Sequence, residues 1–144
     1  MGLILFDTNI FIDMLNGIRE ATTELGSYDD PAISIITYME LLSGAVPRPR
    51  DRPILEALLD EFSVVQLDPQ ITRHAISIRG NSLRIPPKIK LPDAIIAATA
   101  LSYRMPLITR NGRDFSRTKI AVHIPYEFDS RTGLVKNVKP PYTL

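Results

Sequence analysis

The sequence predicts an α/β fold with helices packed on a central parallel sheet of four to five strands, and three observations lead there. Short continuous apolar runs such as Leu3-Ile4-Leu5-Phe6 lack polar alternation, as strands buried on both faces do. Stretches with apolar residues at helical spacing alternate with these runs through most of the chain, the order that parallel strands with crossover helices require. Polar residues stand where the apolar runs end, and in open parallel sheets that edge carries the ligand site.

Taken in order, Leu3 to Phe6 forms the first strand and stops at Asp7-Thr8-Asn9. Ile10 to Leu15 and Ile18 to Leu25 have helical spacing, with Asp13, Glu20 and Glu24 assigned to the polar face, and Ser27 to Pro31 breaks the pattern. The β-branched run Ala32 to Ile36 is a second strand. Thr37-Tyr38-Met39-Glu40 then reads as a capping box, with the Thr37 hydroxyl capping a short helix to about Ala45 and Glu40 reaching back. After the loop Pro47 to Arg50, Arg52 to Phe62 is an amphipathic helix and Val64 to Leu67 a third strand. Asp68-Pro69 opens a helix that Ile85-Pro86-Pro87 closes, and Leu91-Pro92-Asp93 starts an apolar helix rich in alanine. Pro106 to Thr109 is a fourth strand leading into the polar turn Arg110 to Phe115, and Ile120 to Ile124 a fifth. Residues 1–124 make the main domain, and residues 125–144 an extension packed on it, hairpin-like around Asp129 to Gly133.

Composition narrows the function classes. With 144 residues, 44% hydrophobic and 23% charged, the chain is an ordinary globular domain. No apolar run approaches the roughly 18 residues of a membrane span, and the first residues lack the basic start of a secretory leader. The absence of cysteine excludes thiol catalysis, disulfide frameworks and cysteine-bound metals, and a cytoplasmic setting is expected. The net charge of +1 hides a division: residues 1–68 hold twelve acids and four bases, residues 69–144 four acids and thirteen bases. The second half is therefore the expected polyanion-binding surface, with Arg73, Arg79, Arg110 and Arg113 as its candidate rim.

The chemistry lies at the strand ends. Asp7 follows the first strand, Glu40 lies one helical turn beyond the second, Asp93 opens the apolar helix, and Asn111 with Asp114 follows the fourth strand. Each has a structural role open to it alone, as helix cap, first-turn acid or turn residue. Together, carboxylates with no His or Cys beside them make a hard-oxygen site suited to Mg²⁺ or Mn²⁺. A divalent cation would relieve their repulsion and, at a phosphodiester, activate water and neutralise developing charge. His74 and His123 have no second ligand at a sensible spacing and are assigned structural roles.

These same residues carry a resemblance. Asp7-Thr8-Asn9-Ile10-Phe11-Ile12-Asp13 resembles the opening motif of the PIN domain, in particular of VapC-type toxin ribonucleases. Ile35 to Ala45 is similar to the second motif of that family, Leu91 to Ala100 to its third and Leu107 to Phe115 to its fourth, in order from residue 3 to about residue 124. The resemblance implies a PIN-like α/β/α sandwich and a metal-dependent endoribonuclease. It carries the metal-site and catalytic roles onto Asp7, Glu40 and Asp93. The fourth place is shared between Asn111 and Asp114, because family members put an acid at either position. Thr8 and Thr109 would orient carboxylates or the attacking water. A cognate antitoxin and a homodimer are the partners the family implies, with RNA as substrate. Two other classes fit parts of the pattern: a catalytically silent RNA- or protein-binding module, and a phosphatase of the haloacid dehalogenase-like kind. The phosphatase loop is similar to Phe6-Asp7-Thr8-Asn9 but needs a second Asp where this chain has Asn9.

Overall fold

A computed structural model describes residues 3–144; Met1 and Gly2, which begin the segment read as lacking a leader, lie outside the described residues. The chain runs β1 (Ile4–Phe6), α1 (Thr8–Leu15), α2 (Arg19–Leu25), β2 (Pro31–Ser34), α3 (Ile35–Ala45), α4 (Asp51–Leu59), β3 (Ser63–Val65), α5 (Pro69–Arg84), α6 (Leu91–Tyr103), β4 (Leu107–Ile108), a 3₁₀ turn (Gly112–Phe115) and β5 (Val122–His123). A hairpin of β6 (Glu127–Asp129) and β7 (Leu134–Lys136) follows. No helix among the described residues is long and apolar enough to cross a membrane.

The five strands β3-β2-β1-β4-β5 pair in parallel throughout, as the unalternated apolar runs require. Successive side chains of β1 serve opposite faces. Ile4 and Phe6 join one core with Ile33, Ile108 and residues of α1 to α4, whereas Leu5 joins a second core with Ala32, Leu107, Ile96 and Ala97. The alanines of α6 let its backbone approach the sheet: Ala94, Ala97, Ala98 and Ala100 are all buried. From β1 the chain first builds one half of the sheet, β2 then β3, and afterwards the other, β4 then β5. The topological switch point therefore falls between β1 and β4, the neighbouring strands whose carboxyl ends lead into Asp7 and Thr109.

Several expectations shift. The second strand ends at Ser34, whose hydroxyl accepts a 3.1 Å bond from the amide of Ile36 and caps α3 in place of Thr37. Thr37 lies inside the helix, fully buried, because the strand is shorter than its β-branched composition suggests. Asp68 caps α5 as expected, accepting from the Ile71 amide at 2.8 Å with Pro69 in the first turn. Asp13 and Glu24, assigned to a polar helix face, are both buried. The reason lies in the last twenty residues, which bring them partners: the Tyr126 hydroxyl donates to Asp13 at 2.7 Å, and the Tyr142 amide to the Tyr28 hydroxyl at 2.7 Å, which itself donates to Glu24. Tyr126 is buried in the first core cluster, and β6 pairs antiparallel with β7 through Phe128 and Val135.

Candidate active site

At the switch point the register of β1 and β4 sets Asp7 beside Thr109. The Asp7 amide donates to the Ile108 carbonyl at 2.9 Å, and the Thr109 hydroxyl donates to Asp7 Oδ2 at 2.7 Å. Asp7 Oδ1 accepts from the Thr8 amide at 2.8 Å, so the carboxylate also caps α1. One carboxylate thus both caps the helix and lines the cleft. Asn9 completes the arrangement: its Nδ2 donates to Thr109 Oγ1 at 3.2 Å and to Asp7 Oδ2 at 3.4 Å, and its Oδ1 accepts from the Arg110 amide at 3.3 Å. These bonds supply no second carboxylate of the kind the phosphatase loop needs.

Glu40 arrives from α3, where Thr8 Oγ1 donates to its Oε1 at 2.8 Å and lies 3.0 Å from Thr37 Oγ1. Asp93 stands in the first turn of α6, and Asp114 in the 3₁₀ turn, its amide bonded to the Asn111 carbonyl at 3.1 Å. Asp7, Glu40, Asp93, Asn111 and Asp114 line one cleft of about 190 Å³ with Thr8. The sequence-predicted acids are therefore brought together from four separate segments of the chain. Thr109 is fully buried just beneath them.

Their electrostatics is that of an uncompensated acidic cluster. Asp7 is pushed from 3.8 up to about 6, by burial first and then by the charges of Asp93 and Glu40, against the pull of the Thr109 and Thr8 hydrogen bonds. The Asp93 carboxyl also rises, through burial and the nearby Glu40 and Asp114, with Lys90 opposing. Among the described residues no basic side chain forms an ion pair with any of the four acids. The donor set is all oxygen and has no ion-paired base, which fits a hard divalent cation. The acids nevertheless rim the cleft without closing into a cage: among the described residues no three His, Cys, Asp or Glu side chains stand close enough to hold an ion as they are placed. A Mg²⁺-like ion retains part of its water shell and needs fewer protein ligands than a closed cage supplies.

Thr109 is the hub. Its hydroxyl donates to Asp7 and accepts from Asn9 Nδ2 and from the Asn111 amide, at 3.1 Å. Thr109→Val is expected to leave both donors without that acceptor and to cost about 1–3 kcal/mol in urea unfolding. It should also raise the Asp7 carboxyl further, because the lost bond is one that lowers it. A change below about 0.5 kcal/mol, within the scatter of an ordinary surface substitution, would refute the hub.

The candidate basic rim is dispersed. Arg73 is exposed on α5, and Arg79 donates from Nη1 to the Ile89 carbonyl at 3.0 Å; neither lines the acid cleft. Arg110 is bound in a bidentate ion pair to Asp13 of α1, at 2.7 and 3.2 Å, so its guanidinium is a fixture rather than a free arm. Arg113, in the 3₁₀ turn of the site loop, is the exposed arginine near the acids. Sequence reasoning missed Asn9, Asp13 and Tyr126 as residues that hold this loop. Asn9, adjacent to Asp7-Thr8 in a polar triplet, carried a local signal, whereas Asp13 meets partners about a hundred positions away and carried none.

Comparison with known proteins gives the chain a family. The family model described as PIN domain matches residues 4–121. A ribonuclease VapC from Rickettsia bellii is 31% identical over 124 residues, 81% of this chain and 90% of the relative. A ribonuclease VapC1 from Methanocaldococcus jannaschii is 31% identical over 116 residues, covering 81% of each. Among solved structures, a toxin–antitoxin complex from Klebsiella pneumoniae superposes with a TM-score of 0.74 at 39% identity, over 87% of this chain and 99% of that one. On sequence and fold alike, the chain belongs to the PIN domain family, among the relatives of the VapC ribonucleases.

Proposed function

We infer that this chain is an endoribonuclease that hydrolyses RNA phosphodiester bonds and serves as the toxin of a toxin–antitoxin pair. The observation that carries the reading is the convergence of Asp7, Glu40, Asp93 and Asp114 on one cleft at the switch point of the parallel sheet. The VapC ribonucleases support the activity, and the Klebsiella complex supports an antitoxin partner. A cytoplasmic homodimer, with residues 1–124 as nuclease domain and 125–144 as its extension, completes the proposal.

Asp7, Glu40 and Asp93, with Asp114 and Asn111 in the fourth place, are assigned to hold Mg²⁺ or Mn²⁺. The ion supplies an activated water and a counter-charge for the phosphodiester in flight. The protein's own contribution is positional. Thr109 and the Thr8 amide fix both oxygens of Asp7, and the Thr8 hydroxyl fixes Glu40. Burial of Asp7 beneath the cleft keeps its charge poorly screened, which strengthens its hold on any cation. Arg113 supplies an exposed positive charge for the RNA backbone.

The test is incubation of the purified, antitoxin-free chain with total and structured RNA in Mg²⁺, Mn²⁺ or EDTA, beside Asp93→Asn. Discrete fragments that require the cation and fall at least about a hundredfold in the variant are expected, the scale of losing one electrostatic group at a reacting centre. Cleavage indifferent to EDTA, or retained by Asp93→Asn, would overturn the assignment.

A further inference from the structure

A second, larger cleft of about 520 Å³ opens beside the acids, between the loop of residues 110–114 and the wall made by Ile124, Glu127 and Phe128. Asn111 and Asp114 line both clefts, so the two are neighbours that share a wall. We propose that this second cleft is a nucleotide subsite, which seats the base flanking the scissile phosphate against Phe128 and the adjoining backbone phosphate near Arg113.

The inference rests on the ribonuclease reading and adds a specificity site contributed by the hairpin. A polymer held at the acids has to continue beyond a cleft of about 190 Å³, and the larger cleft is where shared walls lead it. Its size suits a nucleotide, since small-molecule sites start near 300 Å³. The floor is built for close approach. A Cβ on Gly112 would lie 2.5 Å from Ile124 Cδ1 and 2.9 Å from its Cγ1, so the loop backbone rests directly on that side chain.

Phe128 is a pre-organised platform. It packs against the first core cluster and pairs in register with Val135, and the Arg110 guanidinium carbon lies 5.9 Å from its ring centroid. Arg110 is itself locked by Asp13, so ring and guanidinium are fixed before RNA arrives. Aromatic and guanidinium planes are the surfaces on which unpaired RNA bases stack. Arg113 is exposed and forms no ion pair among the described residues, which leaves its charge for a phosphate.

The experiment compares three RNAs, each carrying the mapped cleavage point: one intact, one abasic at the nucleotide on the 5′ side and one abasic at the nucleotide on the 3′ side. The full chain is assayed with Mn²⁺. Wild type is expected to lose about tenfold in kcat/KM on one of the abasic RNAs, the usual scale of one base–aromatic stack. Phe128→Leu should lose about tenfold on intact RNA and nothing more on that abasic RNA, while Phe128→Tyr keeps wild-type discrimination. A purely structural Phe128 would slow intact and abasic RNA alike, and that result overturns the subsite. Equal cleavage of intact and abasic RNA by wild type, or no effect of Phe128→Leu on either, assigns the cleft to another occupant, such as a partner's peptide, and also overturns it. All three results leave the ribonuclease reading standing. Absence of any metal-dependent cleavage by wild type is the distinct outcome that removes both.

Discussion

Asp7→Asn is expected to abolish RNA cleavage while making the cation-free protein more stable at neutral pH. The sign follows from the carboxyl's raised value. In the folded chain Asp7 titrates near 6 against 3.8 unperturbed, so between those values the native state binds the proton that the unfolded state releases. Stability contributed by this group is therefore full below about pH 3.8, falls as pH rises through the window, and is lost above about pH 6. The difference corresponds to roughly 3 kcal/mol. An amide at this position escapes the penalty but keeps one acceptor oxygen in place of two, so either the Thr8 amide or the Thr109 hydroxyl loses its acceptor, and a net gain of about 1 kcal/mol is expected at pH 7. Urea unfolding in EDTA checks it: the gain should shrink at pH 4. Adding Mn²⁺ should stabilise wild type and not the variant, since only a ligand that prefers the folded state shifts unfolding. A variant less stable than wild type at pH 7, or equally changed at both pH values, would contradict this account of the site.

The second large effect is expected at Asp13. Asp13→Ala should cost about 3–5 kcal/mol, because it leaves the half-buried Arg110 guanidinium without its bidentate partner and the Tyr126 hydroxyl without its acceptor. Tyr126 cannot relieve the loss by ionising, since burial, the larger cause of its raised phenol and one that remains without Asp13, still holds it above its ordinary range. For a domain of this size the melting temperature should fall on the order of 10 °C. Removing the stranded charge as well, in Asp13→Ala with Arg110→Leu, should recover part of the loss, and that non-additivity distinguishes a buried ion pair from a simple packing defect. Because Arg110 lies between Thr109 and Asn111, cleavage should fall in Asp13→Ala even at temperatures where the variant is fully folded. A loss below about 1 kcal/mol would show that the pair contributes no more than a surface bridge.

Much of the architecture was legible because its signals are local. Leu3 to Phe6 has no polar alternation and became the central strand; Asp68-Pro69 carries its own cap and became a helix start. The acids were legible for a related reason: Asp7 and Asp114 follow apolar strands, Glu40 lies a helical turn past one and Asp93 opens an apolar helix, and a parallel sheet gathers strand ends and the helix starts beside them on one edge. Where two local signals competed, the reading slipped. Ser34 and Thr37 are both capable caps, and only the length of β2, set by pairing with β1 and β3, decided for Ser34.

By itself the sequence determined the strand–helix alternation, the parallel sheet and the four motif segments, because burial patterns and caps are written within a few residues. Only the tertiary structure decided what the charged residues are for. Asp13 and Glu24 fit a solvated helix face by spacing, and Arg110 fits a basic rim by charge, yet the tail supplies Tyr126 and Tyr142, and folding converts these groups into buried, bonded ones. The physical reason is that the free energy of a charge depends on what lies within a few ångströms of it, and those neighbours come from about a hundred residues away in the chain.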